Sequence, residues 1–332
     1  MEQRKKDHID LAFSSQVAAA LADQRFNYEP VLGSHPHKEL DPIIFLGKTM
    51  RTPMWVSSMT GGTKMARTIN TNLARACNEF GMGMGLGSCR ILLENSDYFG
   101  DFNMREVIGD ELPLYANIGI AQLEEMIANG SWERMVDLTV KLQADGMIIH
   151  VNPMQEWLQL EGDVLKQPPI DTIERFLSLS HLKIIVKEVG QGMGPESIRR
   201  LLHLPIEALE LAAFGGTNFA RAELSRNTLQ KQELYAPLSL VGHSAVEMVE
   251  MINSLAGTDN ELLCRQLIIS GGIKSFLDGF YFLSKSVLPA VYGQASEFLR
   301  YAQGDYQDLQ QFVAGQVNGL KFARAFLRIR NT

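Results

Sequence analysis

Cysteine is scarce in this chain. Cys77, Cys89 and Cys264 are odd in number and far apart, so neither a disulfide framework nor a paired zinc-ligand spacing is available, and a reducing, cytoplasmic compartment is expected. Long apolar runs are missing too: no stretch approaches the roughly 20 residues that a membrane-spanning helix needs. The opening residues are charged rather than apolar, which leaves no core for a signal peptide. An excess of basic charge is also absent. With 31 Lys and Arg against 38 Asp and Glu, the formal net charge is −7. Neither nucleic acid nor an anionic membrane is therefore expected as the main partner, although a local basic pocket could still hold phosphate. No internal repeat or low-complexity segment is present.

What is there is a chain of 332 residues, 45% hydrophobic and 21% charged, long enough to bury a large core. Eight short apolar runs recur, at 54–58, 81–86, 114–118, 147–151, 184–189, 208–213, 267–270 and 289–293. Helical periodicity fills most of the gaps, at 66–79, 122–128, 132–143, 170–179, 195–202 and 275–284. Strands apolar on both faces and alternating with helices predict parallel βαβ units under a helical coat. Eight such units make an α/β fold, a (β/α)8 TIM barrel, over 51–332. Residues 1–50 lack the alternation and read as an N-terminal arm packed on the barrel mouth, with an amphipathic helix at 11–22. Two further expectations are an extra strand at 237–241, inside the long gap 221–265, and one closing helix over 306–329.

The chemistry collects where these strands end. Polar or glycine-rich clusters follow seven of the eight runs, and barrel active sites are built at that end. The densest is 150–163, which places His150, Asn152, Gln155, Glu156, Glu161 and Asp163 just past a buried strand. Glu156 is a candidate Mg2+ ligand, since magnesium takes one or two carboxylates plus phosphate oxygens. Glu161 and Asp163 could instead bond within the loop, and His150 could be a satisfied strand-end histidine. The Gly271-Gly272 and Gly293 turns suit a phosphate cradle, because glycine lets backbone N–H groups approach an anion. Lys187, costly to bury unpaired, could face a flavin edge or form a salt bridge with Glu188 or Glu223. Arg90 at a strand end is a good anion ligand; Arg4, Lys5 and His8 form a second cationic cluster.

In this order the motifs resemble the type 2, FMN-dependent isopentenyl-diphosphate isomerases over nearly the whole chain. The resemblance is carried by Arg4-Lys5-x-x-His8, Phe45-Leu46-Gly47-Lys48, Met59-Thr60-Gly61-Gly62, Gly87-Ser88-x-Arg90, Ala116-Asn117-Ile118-Gly119 and His150-x-Asn152-Pro153-x-Gln155-Glu156. It continues through Glu161-Gly162-Asp163, Val186-Lys187-Glu188-Val189-Gly190, Gly215-Gly216-Thr217 and Ser270-Gly271-Gly272-Ile273. It implies FMN at the barrel mouth, contacted by Met59, Thr60, Gly61, Ser88, Asn117 and Lys187. On the phosphate side the contacts fall on Thr217, Gly271, Gly272, Ile273, Lys274, Ala295 and Ser296. Isopentenyl diphosphate falls to Arg4, Lys5, His8, Ser88, Cys89, Arg90 and Gln155, with Mg2+ on Glu156. Gln155 would lie at the reacting carbons, with His150, Asn152 and Glu223 as the polar wall. The implied reaction yields dimethylallyl diphosphate with no net redox change, using reduced flavin as acid and base and NADPH as the flavin's reductant. A homo-oligomer, tetramer or octamer, is implied as well.

Several positions depart from the family pattern. Lys274 stands where Arg is usual, which keeps the charge and loses the bidentate fork. Cys89 replaces a common Gln, Leu160 a Pro and Ala212 a Ser, and the segments 235–239 and 285–288 are altered. Two alternatives follow from that drift: an FMN-dependent oxidoreductase of the hydroxy-acid oxidase type, and a flavin- or diphosphate-binding barrel without catalysis.

Overall fold

The computed structural model describes residues 2–58 and 65–330. Eight strands form a closed parallel barrel. They are β1 (Met54–Val56), β2 (Gly83–Gly85), β3 (Leu114–Gly119), β4 (Gly146–His150), β5 (Ile184–Lys187), β6 (Ala208–Glu210), β7 (Leu267–Ser270) and β8 (Ala290–Gln294). Each pairs with its sequence neighbour, and β8 closes on β1 through Tyr292–Met54, Gly293–Trp55 and Gln294–Val56. Nearly every strand residue is buried, as a sheet lined by side chains within and covered by helices without requires. The eight apolar runs thus become the eight strands, and the fold class expected from their rhythm is the one found.

An antiparallel hairpin, Ile43–Phe45 with Lys48–Met50, plugs the end of the barrel opposite the site. Phe45 and Leu46 are buried there. The Leu46 N–H donates to Gln266 Oε1 at 2.8 Å, and Lys48 Nζ pairs with Asp145 Oδ1 at 2.6 Å, both just before barrel strands begin. A second ribbon pairs Phe26–Tyr28 with Leu327–Ile329, so the closing helix ends at Phe326 and hands over to a strand.

Two further local expectations are corrected. The N-terminal helix is Glu2–Leu11, not 11–22; Ser14 Oγ donates to Leu11 O at 3.1 Å beyond its end, and only a short 3-10 turn, Ala19–Leu21, follows. The segment 237–241 is no strand but lies largely in the 3-10 turn Ala236–Leu240, where Pro237 supplies no backbone donor. The long gap holds helices Phe219–Ser225, Leu229–Tyr235 and Ala245–Thr258. The last begins with a capping box between Ser244 and Glu247, a signal legible in the Ser-x-x-Glu spacing. Among the described residues, no helix is long and apolar enough to cross a membrane.

Candidate active site

At the C-terminal mouth of the barrel, β4 delivers His150 and the chain turns at once into the helix Pro153–Leu158. Pro153 sits at the helix start, where its missing N–H costs nothing. This helix packs on Phe219–Ser225 through a small apolar cluster of Leu158, Ala220 and Leu224. That packing sets Gln155 against the buried Glu223, with Gln155 Nε2 donating to Glu223 Oε1 at 3.3 Å. Glu223 Oε2 in turn accepts from Arg226 at 2.7 Å.

Glu156 is held from both sides. Its Oε1 accepts from Asn152 Nδ2 at 2.8 Å and its Oε2 from the Asp163 N–H at 2.8 Å. The Asp163 carboxylate accepts from Arg90 at 2.9 Å and from Gln122 Nε2 at 2.6 Å. The loop returns to Glu156 only because residue 162 is glycine: a Cβ there would lie 1.8 Å from Glu156 O. Arg90, Asp163, Glu156, Asn152, Gln155 and Glu223 are therefore one connected polar chain. Glu161 lies outside its centre, pairing with Arg226 at 3.5 Å.

His150 bonds through Nδ1 to Asn117 Oδ1 at 2.8 Å. Asn117 Nδ2 donates to Leu86 O at 3.1 Å, which fixes Oδ1 as the acceptor, so the imidazole carries its proton on Nδ1 and presents Nε2 as a lone pair. Burial, helped by the positive charge of Lys187, pushes the ring's pKa down to about 3, and it is neutral at pH 7.

The opposite wall is a cavity of about 400 Å³ whose lining includes Lys187, Thr217, Gly271, Gly272, Ile273, Lys274, Ala295 and Ser296. These eight FMN candidates, drawn from β5, the loop after β6 and the ends of β7 and β8, are brought together. Gly271 takes φ +89°, and a Cβ on it would lie 2.1 Å from Ala213 O; only glycine fits this turn. Ala212, beneath it, holds φ +43° without being glycine, its N–H donating to Ser270 Oγ at 3.0 Å. Lys187 makes no salt bridge with Glu188 or Glu223; its Nζ donates to the Glu188 main-chain carbonyl at 2.9 Å. The Glu188 carboxylate instead gathers the N–H groups of Gly190, Gln191 and Gly192 at 2.6, 2.6 and 2.9 Å, shaping the next loop.

Not every expected residue joins the site. Met59, Thr60 and Gly61 lie outside the described residues. Arg4, Lys5 and His8 ride on Glu2–Leu11, which buries no side chain. They form no hydrogen bond or ion pair with another described residue, because the helix carries no apolar stripe to dock it. Ser88 borders the mouth, while the Cys89 thiol is buried, bonds to Gly87 O at 3.4 Å and has its pKa pushed up to about 12 by that burial. It is an inert small side chain. Sequence reasoning missed Ser57 and Glu210, both on the cavity wall; a glutamate inside an apolar strand was the available signal for Glu210.

The cavity fits FMN. It joins a glycine-lined cradle for an anion, a buried cation and polar atoms that await partners, since the Ser58 hydroxyl and the acceptor Gln294 Oε1 are buried without a hydrogen bond among the described residues. Mg2+ fits more sparsely: no group of three His, Cys, Asp or Glu gathers among the described residues, so Glu156 would supply a single carboxylate and the remaining oxygens would have to come from a bound anion and water.

No protein-family model matches the chain. It is 32% identical over 326 residues to the isopentenyl-diphosphate delta-isomerase of Rickettsia felis, covering 96% of this chain and 90% of that one. It is 32% identical over 305 residues to the enzyme of the same name from Rickettsia akari, covering 90% and 85%. Among solved structures, a flavocytochrome b2 double mutant with sulfite bound superposes with a TM-score of 0.62 at 13% identity, over 91% of this chain and 72% of that one. A mandelate oxidase mutant with a monooxide FMN adduct gives 0.56 at 11% identity, over 93% and 88%.

Proposed function

The chain belongs to the isopentenyl-diphosphate delta-isomerases, enzymes that move a double bond within their substrate, and from that premise we propose that it works as the flavin-dependent type, with FMN in the cavity, Mg2+ at Glu156 and NADPH as the flavin's reductant. The observation that carries this reading is the meeting, in one mouth, of an FMN-sized cavity with the chain from Arg90 to Glu223. When bound, reduced FMN supplies the acid and base for adding a proton to the terminal alkene carbon and removing one from the adjacent methylene.

The protein's own residues do the rest. Arg90 and the Glu156 metal site bind the diphosphate, with Asp163 holding both in place. Gln155, braced by Glu223, is a neutral amide at any working pH and orients the alkene rather than taking its proton. Neutral His150 offers Nε2 as an acceptor without adding positive charge beside a carbocation-like species. The arm's Arg4, Lys5 and His8 close over the mouth when diphosphate arrives, excluding water.

Anaerobic protein with FMN, Mg2+, NADPH and isopentenyl diphosphate is expected to form dimethylallyl diphosphate. Absence of product, with flavin visibly bound and reduced, overturns the proposal. Rapid flavin reduction by a 2-hydroxy acid would instead favour the oxidase alternative.

A further inference from the structure

Glu210 ends β6 fully buried, at 0% exposure, and has no role in the reading above. Its register partner on β5 is Lys187, 6% exposed. Register partners on adjacent strands project to the same face, so a carboxyl and an ammonium share the barrel interior, and both line the cavity. Ser270 Oγ donates to Glu210 Oε1 at 3.0 Å. Oε2 is buried with no hydrogen-bond partner among the described residues; the Ser57 hydroxyl lies near enough to favour the carboxylate but outside hydrogen-bonding geometry. Lys187 and Glu210 thus attract one another without closing into a salt bridge, which leaves the ammonium open to a second anion.

A second negative charge against Lys187 weakens the one cation among the described residues that supports the Glu210 carboxylate in this dry setting. Neutrality then returns if the free Oε2 takes a proton. Burial already pushes this carboxyl up, with Lys187 and then the Ser57 and Ser270 hydroxyls pulling the other way. The neighbouring groups do not compete for that proton: His150 is held neutral, Ser57 and Ser270 are hydroxyls, and the Glu188 carboxylate is engaged by three N–H groups.

We propose that Glu210 is a reduction-linked proton acceptor, taking a proton on Oε2 when the flavin ring bound beside Lys187 becomes an anion. The balance is simple. Two electrons from a hydride donor or an electrode mediator and one proton go to the ring, one further proton goes to Glu210, and no protein bond breaks. The inference rests on the FMN reading of the cavity.

Spectroelectrochemical titration of the FMN-loaded protein over the neutral pH range tests it. The pH dependence of the midpoint potential gives protons taken up per two electrons, and the reduced spectrum tells an anionic from a neutral ring. Wild type is expected to take up two protons with an anionic ring, and Glu210→Gln one proton with the same spectrum. A wild-type count of one, a neutral ring, or an unchanged count in the variant overturns the assignment. Should Glu210→Gln not fold, the wild-type infrared difference between reduced and oxidised states decides: a new carboxylic-acid carbonyl band that shifts in D2O supports the proposal, and its absence removes it. Protein that stays colourless after FMN reconstitution refutes the flavin reading itself, and this inference with it.

Discussion

At the scale of single residues, Gly162 does more for the proposed metal site than its lack of a side chain suggests. A Cβ would collide with the Glu156 carbonyl, so Gly162→Ala pushes the Asp163 N–H away from the carboxylate it orients. Overpacking of this kind costs about 1–3 kcal/mol; the expected outcome is a tenfold or greater loss of kcat/KM that partly recovers with excess Mg2+, read from rates at two metal concentrations. His150 gives a pH prediction. Its folded pKa is depressed to about 3 from an ordinary value of about 6.5, so the unfolded chain binds the extra proton first. Stability from the neutral ring is complete above pH ~6.5 and declines as pH falls toward 3. Between pH 6.5 and 5 the loss is on the order of 1 kcal/mol, allowing for solvent at the mouth. Urea midpoints should fall less steeply over that range in His150→Gln.

Among elements, the N-terminal helix stands apart from everything else. Glu2–Leu11 and Ala19–Leu21 bury no residue, so removing residues 1–22 is expected to leave the melting temperature within about 2 °C, in keeping with small effects of exposed segments. The same deletion should raise KM for the diphosphate at least tenfold while leaving FMN binding intact; an unchanged KM removes Arg4, Lys5 and His8 from the proposed substrate site. The barrel strands were legible because burial on both faces writes itself into continuous apolar runs such as Ile184 to Val186. The N-terminal helix was not, because its few apolar residues face no core and periodicity has nothing to report. The helix Ala245–Thr258 escaped for another reason: its capping box was present in the sequence, but its place in a long irregular insertion hid the βα rhythm. In the site, Gln155, Glu156 and the glycine turns stood out by motif. Glu210 and the hydrogen bonds of Asp163 did not, since they depend on register and on loop return, which spacing alone does not encode.

For the whole molecule, the cavity joins the ends of β5 to β8 with the loop after β6, so a ligand filling it binds only the closed barrel. FMN at one hundred times its Kd is expected to stabilise the fold by about 2.7 kcal/mol, measured as a shift in the urea midpoint; no shift, with flavin bound, would mean that FMN binds the unfolded chain as well and does not need the closed barrel. The Asp163 bridge has a further consequence. Its carboxylate holds Arg90 while its N–H holds Glu156, so any anion that draws Arg90 away also alters the setting of the proposed metal ligand. The two binding events then share one free-energy term, and linkage makes that term reciprocal. Inorganic diphosphate should tighten Mg2+ by the same factor by which Mg2+ tightens diphosphate, beyond their pairing in solution, and Asp163→Asn should shrink both factors equally in calorimetric titrations.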